Sequence, residues 1–194
     1  MNAYYFDAEI TPESITELMY RIEETREKSV IKTVEGSDDV DVLQNHIIIY
    51  FSTNGGLVAS AHVLSSYIKE LILKEYLSVD LVVTQWCHSA GLLMLMDLYE
   101  FRLKMAVPAS LNFKFFKHSE AILHEVSIDL NTRTSQKEID GRINKIKNRR
   151  IPVLSFFKKH LTSAEIKQFN SSEDVYISSD RLCDIFKGTL IKTY

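Results

Sequence analysis

From the amino terminus, the chain alternates short apolar runs with longer amphipathic stretches. Ala3 to Ile10 reads as a first strand. Thr11 then offers an N-cap and Pro12 a first helical position, and Ile15, Leu18, Met19 and Ile22 recur every three or four residues. That pattern predicts a helix with one apolar stripe, ending in the charged run Glu23 to Lys28. An exposed loop at Gly36-Ser37-Asp38-Asp39 precedes Ile47-Ile48-Ile49-Tyr50-Phe51. So continuous an apolar run is expected of a strand covered on both faces.

Next comes Ser52-Thr53-Asn54-Gly55-Gly56, whose glycines permit backbone angles closed to other residues. Leu57, Ala61, Leu64, Ile68 and Leu71 form a second helical stripe, and Val79 to Thr84 a second buried strand. This strand meets Gln85-Trp86-Cys87-His88-Ser89-Ala90-Gly91, after which Leu92 to Met96 is apolar on every side. A helix with no polar face belongs inside a core. Asp97 to Lys104 is expected to finish that turn.

Met105-Ala106-Val107-Pro108 leads into Ser110 to Phe115, which alternates like a half-buried strand, and Ala121 to Leu130 is a further strand candidate. Ser135 to His160 is long, charged and helical in pattern. Ile139, Ile143 and Ile146 share a face there, and Pro152 is expected to kink or divide the helix. Thr162-Ser163-Ala164-Glu165 is a capping-box pattern. Asp174 to Ser179 leads into a helix to Phe186 with Gly188 as its stop.

Composition narrows the function classes. The 194 residues suit one domain with a real core, and the net charge of −3 offers no basic field for nucleic acid. Cys87 and Cys183 are too few and too far apart for a disulfide framework or a metal knuckle, so both are expected as reduced thiols. The N-terminus lacks a basic region and an apolar signal core, and no apolar run approaches membrane length. A soluble cytoplasmic protein is expected. None of the six histidines has metal-ligand spacing with another ligand, so no metal and no cofactor is expected. There is no internal repeat and no phosphate-loop motif, so any ATPase would be a separate chain.

The chemistry converges on Ser89. It stands where a strand meets a buried helix, beside unpaired helix N–H groups and the positive end of the helix dipole. Backbone donors at that turn and at the Gly55-Gly56 turn, one parallel strand away, form a candidate cradle for an oxyanion. The other requirement of an acyl-transfer site is a base.

These residues resemble a family. Tyr50-Phe51-Ser52-Thr53-Asn54-Gly55-Gly56-Leu57-Val58 is similar to the strand and N-S-P-G-G-x-V turn of ClpP, the proteolytic subunit of the Clp protease. Asn54 stands where that turn has proline. Cys87-His88-Ser89-Ala90-Gly91 resembles the A-A-S-M-G nucleophile turn, and the segment from Asp174 resembles D-R-F-L-S-A. The resemblance implies an α/β fold, the ClpP/crotonase-like spiral of β-β-α units, as a single domain over residues 1–194. It further implies an enlarged loop at 34–45 and a protruding handle helix at 135–160 through which subunits pair into a ring or stacked rings. The chain starts at the first strand, without the segment by which ClpP lines its pore and meets an ATPase, which weakens the expectation of a standard Clp partnership and leaves a separate ATPase open.

The implied activity is a serine peptidase acting on peptides or unfolded protein. Ser89 would be the nucleophile, the N–H groups of Gly56 and Ala90 the oxyanion hole, and Asp174 the carboxylate that orients a histidine. The base is open. Counting along P-N-S-R-V-M-I-H from Pro108 puts it at Phe115, which carries no proton, while counting from Ser89 gives Lys114. His118 is the nearest imidazole, and a bulge at Phe115-Phe116 would return it to the required face. His88 is expected to point away from Ser89, and His124 lies on the following segment. His46, His62 and His160 read as surface or packing residues. Two alternatives stand beside the peptidase: a non-catalytic ClpP-like subunit that has lost its base, and a crotonase-type acyl-CoA enzyme.

Overall fold

The computed structural model describes residues 2–34, 46–75, 77–105, 110–124, 141, 152–153 and 155–192, the side chains of 27–34 and 75 excepted. Strands β1 (Asn2–Asp7), β2 (His46–Thr53), β3 (Ser78–Cys87) and β4 (Leu111–Phe116) lie side by side, with β7 (Thr189–Ile191) beyond β4. Every one of these pairings is parallel. Parallel neighbours need crossover connections. Helices α1 (Pro12–Val34), α2 (Val58–Glu75) and α3 (Ala90–Lys104) sit between the first four strands in chain order.

Alternation along the strands sorts the two faces of the sheet. One face carries Phe6, Ile49, Phe51, Leu81, Val83, Leu111, Phe113 and Phe115, all buried. Helices α3 and α5 (Ser179–Phe186) cover its β4 side. The Tyr99 ring lies 6.2 Å from Phe113 and 5.6 Å from Phe186, and Phe186 packs on Phe113 at 5.7 Å and on Phe115 at 6.2 Å. The other face holds a buried carboxylate, Asp80, which accepts hydrogen bonds from Lys114 Nζ at 2.7 Å and Asn112 Nδ2 at 3.0 Å. His46 Nε2 stands 3.2 Å away. Burial pushes the Asp80 carboxyl up, but the hydrogen bonds and the charges of Lys114 and His46 outweigh it and hold the group below the ordinary carboxylate range.

Several boundaries differ from the sequence expectation. Helix α1 does not end in the charged run but continues to Val34. Nothing there breaks a helix. Arg26 pairs with Glu23 one turn away, and Thr25 Oγ1 donates back to the Arg21 carbonyl at 2.9 Å. Likewise α3 continues through Asp97 to Lys104. Ala61, Leu64, Ile68 and Leu71 are buried as the stripe requires, but Leu57 is 55% exposed. It precedes α2, and its N–H donates to the Ile10 carbonyl at 2.8 Å, so it belongs to the glycine turn. β1 stops at Asp7, and Ile10 forms a separate bridge with Gly56. Helix α5 is closed by Lys187 in the left-handed region (φ 48°), not by Gly188. Gly188 is needed for another reason: a Cβ there would lie 2.6 Å from the Phe115 ring and 2.8 Å from the Phe113 carbonyl.

The chain divides into two compact units, residues 1–121 with 177–194, and residues 122–176. In the second, α4 (Ser163–Asn170) starts with the expected capping box. Thr162 Oγ1 accepts from the Glu165 N–H at 3.3 Å, and the Glu165 carboxylate accepts from the Thr162 N–H at 2.7 Å. The strand candidate at Ala121 is short, β5 (Glu120–Leu123), and β6 (Val175–Ser178) pairs with it. Residues 35–45 of the expected loop, Pro108, and most of the expected handle helix at 135–160 lie outside the described residues.

Candidate active site

β3 ends at Cys87 and α3 begins at Ala90, leaving His88 and Ser89 to make the whole reversal. Ser89 does so at φ 50° and ψ −116°. A residue with a Cβ is rarely found there, and holding one in such a region costs about 1–3 kcal/mol. A nucleophile elbow also sets its serine on a sharp, strained strand-to-helix turn. A serine that merely capped the helix would accept a hydrogen bond from the first turn. Ser89 holds the N-cap position but makes no side-chain cap bond.

The glycine turn is built to fit this serine. Gly55 and Gly56 have φ 109° and 134°, which side chains with a Cβ rarely adopt. A Cβ on Gly55 would lie 2.7 Å from Ser89 Cβ, and one on Gly56 would lie 2.4 Å from the Ile10 carbonyl oxygen. Ile10 grips the turn from the other side. Its N–H donates to Gly55 O at 2.7 Å, and its carbonyl accepts from the Leu57 N–H. A parallel bridge of this form uses the groups of residues 55 and 57, leaving the Gly56 N–H on the edge turned away from Ile10. β3 lies on that side of β2. Among the described residues, neither the Gly56 N–H nor the Ala90 N–H has a hydrogen-bond partner. Two free donors on adjacent turns can hold an oxyanion.

Thr53 touches both turns. Its Oγ1 accepts from the Gly55 N–H and donates to Gly55 O, each at 3.1 Å, and its carbonyl accepts from the His88 N–H at 3.0 Å. Gly91 has room only for hydrogen, because a Cβ there would lie 2.5 Å from the Thr53 methyl. The sequence reading passed over Thr53 and Ile10. Ile10 acts through its backbone, which leaves no side-chain signal, whereas a buried Thr two residues before a Gly-Gly turn is a legible one.

The base candidates are placed as follows. Phe115 is fully buried, its ring on Phe186 and against Gly188. Lys114 is committed to Asp80 on the other face. His118 is exposed in the turn that follows β4. The expected bulge at Phe115-Phe116 is not where the extra chain lies. Val83 pairs with Phe115 and Trp86 with Glu120, so three steps along β3 match five along β4 and β5. The surplus of two falls around the Lys117-His118 turn, which is held by Ser179 Oγ on the Lys117 carbonyl at 2.6 Å. His88 has its Nε2 3.9 Å from Glu120 Oε1, and its ring centroid is 6.4 Å from that of Trp86. His46 faces Asp80, and His62 is an exposed neighbour of Asp97. Asp174 belongs to the second unit, exposed just before β6, with its carbonyl accepting from Gln168 Nε2 at 2.9 Å. Burial pushes the Cys87 thiol far up, so it stays protonated and does not compete as a nucleophile. No group of His, Cys, Asp and Glu suited to a metal occurs among the described residues. No helix among them is long and apolar enough to cross a membrane.

Among solved structures, the chain is similar to an asparagine-to-aspartate mutant of ClpP1 from Listeria monocytogenes. The match has 16% identity and a TM-score of 0.57, and covers 99% of this chain and 92% of that one. The fold is ClpP-like. No family model and no curated protein matches the chain. At this identity the likeness shows the fold alone.

Proposed function

We propose that this protein is a ClpP-like serine peptidase, one domain over residues 1–194, acting on peptides or unfolded protein in the cytoplasm. The observation that carries the proposal is Ser89 itself, strained at φ 50° with its hydroxyl uncapped against Gly55. Ser89 Oγ attacks the peptide carbonyl as its proton passes to His118. The oxyanion accepts hydrogen bonds from the N–H groups of Gly56 and Ala90. Collapse breaks the C–N bond, the amine leaves with the proton from His118, and water then releases the acyl group from Ser89. Subunits pair through residues 135–160 into a ring or stack, and a monomer at high micromolar concentration by light scattering would refute that part. Fluorogenic peptide hydrolysis by wild type, Ser89→Ala and His118→Ala tests the chemistry. Turnover should vanish in the first variant and fall by roughly 10²–10⁴-fold in the second.

A second reading is favoured by one observation. Phe115, where counting from Pro108 places the base, is a buried phenyl ring packed on Phe186. On this reading the chain is a non-catalytic ClpP-like subunit that keeps its elbow and has lost its base. Hydrolysis equally absent in wild type and Ser89→Ala would favour it.

A further inference from the structure

We infer that Thr53 is a positioning residue that locks the glycine turn and the serine turn into one register, an inference that rests on the acyl-transfer reading of those turns. An oxyanion hole assembled from two separate turns works only if both hold their spacing, since a misplacement of about 1 Å can cost about 10²-fold in rate. Gly55 and Gly56 are the residues least able to hold a conformation by themselves. Thr53 supplies the constraint at three points. Its hydroxyl closes a ring with the N–H and carbonyl of Gly55. Its carbonyl holds the His88 N–H, one residue before Ser89. Its methyl fills the space left by the missing side chain of Gly91, in the first turn of α3.

The location suits the task. The β2–β3 register shifts between Phe51 and Thr53, and Thr53 pairs with Cys87 just past that irregularity. The ladder therefore stops dictating the spacing at the point where the two turns begin. Thr53 is 2% exposed, so its hydroxyl has no water to turn to and is spent on Gly55. Serine offers the hydroxyl without the methyl, and valine the shape without the hydroxyl. Threonine has both.

The test compares wild type, Thr53→Val and Thr53→Ser by two readouts: the rate of fluorophosphonate labelling, and the amide ¹H–¹⁵N resonances of Gly55, Gly56, Ala90 and Gly91. Thr53→Val should label roughly 10–100-fold more slowly, and Thr53→Ser should recover most of the rate, which a merely structural role would not produce. In Thr53→Val the amides of both turns should shift together. Labelling of Thr53→Val at the wild-type rate would overturn the proposal. If wild type itself does not label, the acyl-transfer reading fails, and Thr53 is judged by the resonances alone. Shifts in both turns uphold the linkage, and shifts confined to Gly55 and Gly56 refute it. Should Thr53→Val not fold, Thr53→Ala carries the same comparison.

Discussion

Gly55 faces Ser89 so closely that a Cβ added to the glycine would lie 2.7 Å from Ser89 Cβ and 3.4 Å from Ser89 Oγ. The only side chain that fits opposite the serine is hydrogen. Gly55→Ala adds this clash to a backbone angle of φ 109°, and the two should cost about 1–3 kcal/mol of stability. Urea unfolding measures that loss, and fluorophosphonate labelling should fall with it. A Gly55→Ala protein with wild-type midpoint and labelling would show that the turns are not in contact.

The Phe115 ring is fully buried, packed on Phe186 and against Gly188, so an imidazole there meets aromatic carbon and not solvent. Phe115→His should therefore bring no gain of hydrolysis. It should be destabilised, increasingly so as pH falls. Burial holds the folded-state pKa of such a histidine below its unfolded value of about 6.5, so the unfolded chain binds the extra proton and gains as pH drops through that value. Chemical denaturation at pH 8 and pH 5.5 checks this. New peptidase activity in Phe115→His would instead place residue 115 at the base position.

Asp80 ties β3 to β4 through Lys114 and Asn112. Its folded-state pKa is depressed, so its contribution is present above the unfolded value of about 3.9 and is lost as pH falls through the lower folded value. Asp80→Asn should lower stability at pH 7 by about 1–3 kcal/mol. The gap to wild type should close below about pH 4. A gap that stays constant from pH 7 to pH 3 would mean that the charge on Asp80 contributes nothing.

Gly188→Ala would drive a methyl into the Phe115 ring and the Phe113 carbonyl. The carbonyl is strand backbone and cannot turn aside. A cost of about 1–3 kcal/mol is expected from such overpacking, read as a lower thermal midpoint. An unchanged midpoint would show that the β4 edge has slack.

What was legible in the sequence was whatever periodicity and turn chemistry encode. The Ile47 to Phe51 strand, the Gly-Gly turn, the Ser89 junction and the Thr162 capping box were all found where their residues indicated. Helix ends were less legible. Charge does not stop a helix whose ions pair one turn apart, as Glu23 and Arg26 do, and Leu57 matched a stripe it precedes by one residue. Register was not legible. Three steps along β3 match five along β4 and β5, and no side-chain pattern marks the two surplus residues around Lys117-His118. The grip of Ile10 on Gly55 and Leu57 is made by backbone atoms, which no side-chain pattern announces.

The most direct measurement is the mass and location of a fluorophosphonate adduct on the intact protein. Nucleophilic attack on the probe requires a serine hydroxyl that is exposed, activated and faced by oxyanion donors. The account expects a single adduct that maps to Ser89, is absent from Ser89→Ala and is slowed in Gly55→Ala. No adduct on wild type, or an equal adduct on Ser89→Ala, would contradict it.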